Sequence, residues 1–214
     1  PALVVDASVD GAGGQTPPDA RVDAFYAAML SGVPVAGEWD RADSVAAGVE
    51  LSDADLGAHR LVVYHADART AVVRDDSTHL RKYLQQGGRL LLSGANLAYT
   101  FGGSSLINTP FAAGTFMHDV LKANELRAEY NLDCTGADAQ MAGYPNLNVD
   151  PAKAFLGRLS AQDAYIGPLA DSPPTEVLMT YRSVNGPVGQ NHGKPDAIRL
   201  LTGMQMVAFN IPLY

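Results

Sequence analysis

The chain predicts an α/β domain: a three-layer sandwich with a mostly parallel central sheet and a C-terminal β-hairpin. Short apolar runs of strand length recur at residues 2–6 (ALVVD), 60–65 (RLVVYH) and 89–93 (RLLLS). They lack the alternation of a half-exposed strand, which is the pattern of strands buried on both faces. Segments with apolar residues at helical spacing separate them, as right-handed βαβ crossovers require. The 214 residues, 47% hydrophobic and 18% charged, contain no linker or internal repeat that would divide them, so one domain with a sizeable core is expected.

Each element has its own local signal. After the first apolar run, a Gly-rich loop over residues 7–16 leads to Pro17 and Pro18, which open a helix. Val22, Phe25, Tyr26, Met29 and Leu30 recur there at helical spacing, and Gly32 closes it. Phe25 and Met29 are expected to face the sheet. Residues 33–39 (VPVAGEW) suit a short strand, whereas 40–57 are polar, Ala-rich and resist assignment. Asp76 or Ser77 can cap a helix carrying Leu80, Tyr83 and Leu84, which Gly87 and Gly88 stop. Residues 114–123 predict a helix with Phe116, Val120 and Leu121 inward, and 126–132 a strand. From 134 to 174 the many Gly, Pro, Asn and Asp residues read as long loops. Residues 176–182, 197–201 and 205–211 then predict strands, the last two joined as a hairpin at Thr202 and Gly203.

Composition excludes several function classes. A net charge of -8 opposes a phosphate backbone or an anionic membrane, both of which need clustered Lys and Arg. Nucleic acid is not an expected partner. No apolar run approaches the roughly 20 residues that span a bilayer, so no membrane insertion is expected. Cys134 is the sole cysteine, which rules out an intrachain disulfide and a multi-cysteine zinc site. It sits in a polar stretch (LDCTGAD) without an adjacent His, the setting of an unreactive thiol. A chain that begins at Pro1, directly on a strand, reads as a domain excised from a larger protein.

Ligands of open α/β sheets sit beyond the carboxyl ends of the parallel strands, where loops and helix N-termini converge. Those ends supply Asp6, His65 with Asp67, and the turn Ser93, Gly94 and Asn96. Asp6, His65 and Asp67 are therefore the candidates for acid-base or metal chemistry, and Ser93, Gly94 and Asn96 for ligand contact through turn amides. The simpler alternative is that these residues only end strands and cap loops. Asp6, Ser8, Asp10 and Gly11 echo the start of a calcium loop, but Pro17 stands where its bidentate Glu belongs. Gly11, Gly13 and Gly14 resemble a dinucleotide loop only faintly, because Thr16 replaces its third glycine. His118 with Asp119, and His192, lack ligand spacing to another His and read as solvated. Trp39, Tyr99 and Phe101 could stack on a sugar or cover the core edge.

Residues 87–99 (GGRLLLSGANLAY) form a helix stop, a buried strand and a small-residue turn. This segment resembles the strand, elbow and helix of class I glutamine amidotransferase-like domains, whose pattern after the strand is Gly-x-Cys-x-Gly. Gly94 matches the first glycine, Asn96 takes the cysteine position and Ala98 that of the last glycine. Asn cannot supply the thiolate that glutamine hydrolysis needs, and Ser93 falls one residue before the turn glycine. The order of segments also resembles noncatalytic amidotransferase-like modules of large secreted bacterial proteins. A helix like 22–30, a segment like 83–93, a helix like 116–121 and a Phe-x-x-Pro end at 209–212 recur there. The resemblance implies a flavodoxin-like sandwich, no glutaminase activity, no cofactor or metal, and an extracellular or periplasmic location. Its implied partners are neighbouring domains of the same polypeptide. The rival reading is a hydrolase or a small-ligand (sugar or metal) binding enzyme using the rim of the sheet.

Overall fold

Burial on both faces is what the three unbroken apolar runs receive. The computed structural model describes residues 1–8, 11, 18–40, 51–66, 76–95, 97–102, 110–129, 131–159, 162–168, 175–201 and 203–214. In it β1 (Ala2–Asp6), β3 (Leu61–Ala66) and β4 (Arg89–Gly94) are adjacent parallel strands, with Leu3 beside Val62 and Val62 beside Leu90. β2 (Val35–Asp40) lies parallel on the outer side of β1. Alternate residues serve opposite faces. Leu3, Val5, Val62, Tyr64, Leu90 and Leu92 join one core cluster, which takes in Leu56 of α2 (Asp53–Gly57) and Leu80 and Leu84 of α3 (Ser77–Gln85). Val4 and Val63 on the other face pack against Val22, Tyr26 and Leu30 of α1 (Asp19–Met29) and its C-cap.

The helix stripe is rotated from the expected one. Val22, Tyr26 and Leu30, spaced four apart, are buried, whereas Met29 is 38% exposed and Phe25 packs from the side. Asp76 precedes α3 but makes no side-chain cap bond; its buried carboxylate accepts from the Tyr64 hydroxyl at 2.9 Å instead.

The remainder corrects the predicted architecture. After α4 (Leu97–Gly102) and the short α5 (Phe116–Asp119), the regular elements among the described residues are strands, apart from two 3-10 turns at Phe155–Gly157 and Gly186–Val188: β5 (Ala123–Glu129), β6 (Cys134–Ala139), β7 (Leu147–Asn148), β8 (Gln162–Pro168), β9 (Thr175–Ser183), β10 (Pro195–Leu200) and β11 (Gln205–Phe209). One nine-stranded sheet runs in the order β2-β1-β3-β4-β11-β10-β9-β6-β7, and β5 pairs with β8 apart from it. Pairing is parallel from β2 to β11 and antiparallel from there to β7. The protein is a curled, mixed, sheet-dominated fold with few helices, not a three-layer sandwich on a mostly parallel sheet and not flavodoxin-like.

The error has a physical origin in residues 134–174. A strand covered on one face, or lying at an edge, can be stabilised by its backbone ladder and needs no continuous apolar run. β6 (CTGADA) buries only Cys134, Gly136 and Ala137, and its glycine is required. Gly136 has φ +137°, and a Cβ there would come within 2.1 Å of the Leu147 carbonyl oxygen, so only glycine admits β7 at this distance. Arg182 of β9 fastens the same edge. Its guanidinium donates to Asp138 Oδ1 at 2.8 Å, Asn148 Oδ1 at 2.8 Å and the Leu147 carbonyl at 2.7 Å. A second core cluster, including Cys134, Ala137, Leu178, Tyr181, Ala197 and Phe209, lies under this half. Among the described residues, no helix is long and apolar enough to cross a membrane.

α5 is too short to stand on propensity, and polar groups hold it. Thr115 caps it by accepting from the His118 N–H, while Asp119 accepts from the His118 ring at 2.7 Å, the Gly114 N–H at 3.1 Å and Arg81 of α3 at 3.2 Å. His118 is thus paired rather than solvated. The His118 bond first, then the Gly114 N–H, holds the Asp119 carboxyl below its ordinary value of 3.8. A depressed folded-state value stabilises above the unfolded one, and the contribution is lost as pH falls through the folded one. The stability gap between wild type and Asp119→Asn should therefore be present at neutral pH and close well below pH 3.8. Because the carboxylate is a third exposed, that gap should stay under about 1 kcal/mol. Paired urea titrations at the two pH values measure it; a gap that widens on acidification contradicts the assignment.

Candidate functional site

Parallel pairing delivers the last residues of β1, β3 and β4 to one row. Asp6 is the register partner of His65, and His65 of Ser93. These residues share the α1 face of the sheet, because Val4, Val63 and Leu91 two positions earlier do. All three are buried, with His65 fully so.

The local contacts follow from the strand exit. The Ser8 N–H donates to Asp6 Oδ1 at 2.7 Å, a turn that keeps the carboxylate against the strand end. His65 Nδ1 lies 3.4 Å from Asp6 Oδ1 and 3.3 Å from Ser8 Oγ. The Tyr26 ring of α1 stacks on the His65 imidazole with centroids 3.8 Å apart and planes 12° off parallel. Its hydroxyl shares a 2.8 Å hydrogen bond with Ser93 Oγ. Tyr26 therefore roofs the row and ties β4 to it.

Among the described residues this geometry is not that of a nucleophile relay. A serine hydrolase needs its hydroxyl on one imidazole nitrogen and its carboxylate on the other. Here Asp6 and Ser8 both address Nδ1, Ser93 is bonded to Tyr26, and the imidazole is sealed beneath a ring.

What the rim does assemble is oxygen. Asp19 and Asp23, one turn apart on α1, bring carboxylate oxygens within 4.8 Å of each other and of an Asp6 oxygen. Both are half-buried. Hard divalent cations take clustered carboxylate oxygens of this kind. The Asp6 and Ser8 of the calcium-loop echo do come together, but the acidic partners of Asp6 lie on α1. Asp10 lies outside the described residues.

Of the residues singled out in the sequence, Asp6, His65 and Ser93 are brought together, and Gly94 ends β4 beside them. A Cβ at Gly94 would lie 3.0 Å from the Ala66 carbonyl oxygen and 2.9 Å from Leu97, which fits a turn that admits no side chain. Asp67 and Asn96 lie outside the described residues, as do the side chains of Trp39 and Tyr99. Phe101 packs between Tyr64 and Phe116 in the core. His192 is not merely solvated: its Nδ1 accepts from the Ser183 N–H at 3.3 Å. Cys134 is fully buried on β6, with β11, β10 and β9 between it and β4.

Tyr26, Asp19 and Asp23 were not legible as site residues. The available signal was the spacing of four between Asp19 and Asp23, on a helix whose first turn follows Pro18 at the strand-end side of the sheet.

On the neighbouring strand the rim also carries Asn210, the residue after β11. It is fully buried and makes no side-chain hydrogen bond, while its N–H donates to the Asp196 carbonyl at 2.8 Å. An unsatisfied buried carboxamide costs about 1–3 kcal/mol and marks a place where packing alone did not select the residue.

No protein-family model matches the chain, and no curated protein matches it. Among solved structures it is similar to the N-terminal domain of mmIFT52, at 11% identity and TM-score 0.47, over 98% of this chain and 85% of that one. It is also similar to the cytoplasmic protein STM3548 from Salmonella typhimurium, at 12% identity and TM-score 0.45, over 97% and 86%. Nothing in these comparisons supports the secretion that the sequence resemblance implied.

Proposed function

We propose that this chain is a noncatalytic binding domain whose ligand is a hard divalent cation, or a small molecule held through one, at the rim formed by Asp6, Asp19 and Asp23. The observation that carries the reading is the meeting of three carboxylates from two elements within 4.8 Å. His65, Ser8 and Tyr26 act as its floor: they fix Asp6 through the Ser8 turn and exclude water behind it. Oxygen-only donors favour calcium, magnesium or manganese over zinc, which prefers nitrogen and sulfur. Glutamine hydrolysis has no place in this reading, because the only thiol, Cys134, is buried and donates to the Gly136 carbonyl at 3.6 Å.

Calcium, magnesium and manganese chlorides, each added to purified protein, test the site by thermal unfolding. A cation bound to the native state alone stabilises it by about 2.7 kcal/mol at a hundred times its dissociation constant. At least one of the three should raise the midpoint in proportion to the logarithm of its concentration. Asp19→Asn with Asp23→Asn should abolish the rise, because neutral amides no longer supply the carboxylate charge a hard divalent cation needs. A wild type indifferent to all three cations, or a rise that survives the double substitution, rejects the site.

A further inference from the structure

Two exposed apolar features lie beside α1. One is a groove of about 720 Å³ between α1 and the edge strand β2, lined by Val4, Asp23, Leu30, Val33, Val35 and Gly37. Val33 and Val35 are 41% and 45% exposed, so its outer lip faces solvent. The other is a knob, the turn Phe155–Gly157, where Phe155 is 72% and Leu156 66% exposed. Leu156 is held at φ 56°, ψ 20°, a left-handed conformation that costs a leucine roughly 1–2 kcal/mol. Strain that projects two large apolar side chains into water points to a function outside the fold. The base of the knob is anchored to α1: the Lys153 ammonium lies 4.0 Å from the Tyr214 ring centroid and 5.3 Å from that of Phe25.

We infer that this face is a homodimer interface, in which Phe155 and Leu156 of each copy seat in the α1–β2 groove of the other. Charge favours a second copy as the occupant. Lys153 and Arg158 bracket the knob in sequence, whereas Asp23 stands in the groove wall. Geometry favours closure. Lys153, two residues before the knob, lies over Phe25 of α1, whereas Asp23, Ala27 and Leu30 of the same helix line the groove, so a two-fold axis beside α1 can make both contacts at once and leave none over for an open chain. The arrangement also shields β2, an edge strand with exposed valines beside it, from indiscriminate pairing.

Asp23 lines the groove and is also a ligand of the proposed cation site, whereas Phe155 and Leu156 are not, so the knob variant separates the two readings. Sedimentation velocity across low to high micromolar concentration should show a dimer for the wild type. Phe155→Ser with Leu156→Gly, and separately Val35→Glu, should each weaken self-association by at least about a hundredfold. Neither should lower the thermal midpoint of the monomer, and the first should leave any cation-dependent shift intact. A wild type that stays monomeric at the highest concentration, or a dimer that either variant leaves undisturbed, overturns the interface.

Discussion

Replacing Asp133 with alanine should cost the fold about 3–5 kcal/mol, more than most single substitutions. The carboxylate is 6% exposed and lies immediately before β6. It accepts from the Ser183 hydroxyl at 2.7 Å, the Asn185 amide at 3.1 Å and the Tyr181 hydroxyl at 3.2 Å. Its own carbonyl accepts from the Val184 N–H at 2.8 Å, so side chain and backbone together clasp the turn to the end of β9. Alanine leaves several donors facing a dry gap. Tyr181→Phe removes one donor and leaves the others paired, while Ser183→Ala removes one donor and also the acceptor of the Asn185 N–H at 3.0 Å; each should still cost less, about 1–2 kcal/mol. Urea unfolding of the three variants measures the contrast. An Asp133→Ala loss no larger than that of Ser183→Ala would show that the clasp contributes little.

Tyr26→Ala should be comparably damaging, at about 3–5 kcal/mol, because it deletes a fully buried aromatic ring and leaves a cavity over His65. Tyr26→Phe keeps the ring and its 3.8 Å stack but removes the bond to Ser93 Oγ, for about 1 kcal/mol. The two variants divide packing from hydrogen bonding. Cation-dependent stabilisation should persist in Tyr26→Phe and weaken in Tyr26→Ala, because without the ring the floor beneath Asp6 no longer holds its place. Equal destabilisation by the two substitutions would mean that the hydroxyl, not the ring, carries the roof.

The parallel half was legible because burial on both faces leaves a mark that few other arrangements leave. The apolar stretches LVV, LVVY and LLL contain no outward-facing polar position, and they became β1, β3 and β4 in parallel register. The end of the chain was legible too: β10 and β11 alternate around Thr202 and Gly203 and pair antiparallel. The strand-rich remainder was not legible, because β6, β7 and β8 carry the Gly, Asn, Asp and Pro of loops. What makes them strands is remote in sequence: Arg182 bridging to Asn148, and Gly136 accepting the close approach of Leu147. Local propensity cannot register partners so far along the chain.

The site divides along the same line. Asp6, His65 and Ser93 were found from strand ends alone, since register follows once three strands are parallel. Asp19, Asp23 and Tyr26 depend on the rotation of α1 about its own axis. The apolar stripe allowed either a Phe25–Met29 face or a Val22–Tyr26–Leu30 face, and packing against Val4 and Val63 selected the second. That rotation, roughly 80° at 100° per residue, decides whether Tyr26 points at His65 or at water.

The place of β11 in the sheet bears on how the protein is made. β11 is the hinge between the two halves, parallel to β4 on one side and antiparallel to β10 on the other. Its register partners in β4 were synthesised more than a hundred residues earlier. During translation β4 must therefore wait with one edge unpaired while the whole antiparallel half is still being added, and neither half can be sealed to the other until residues 205–209 leave the ribosome. Closing so long a loop is slow, and an apolar strand edge held open meanwhile invites association with other chains. The open edge of β4 is therefore covered only once β11 has been made, and until then it is a place where association with other chains is favoured.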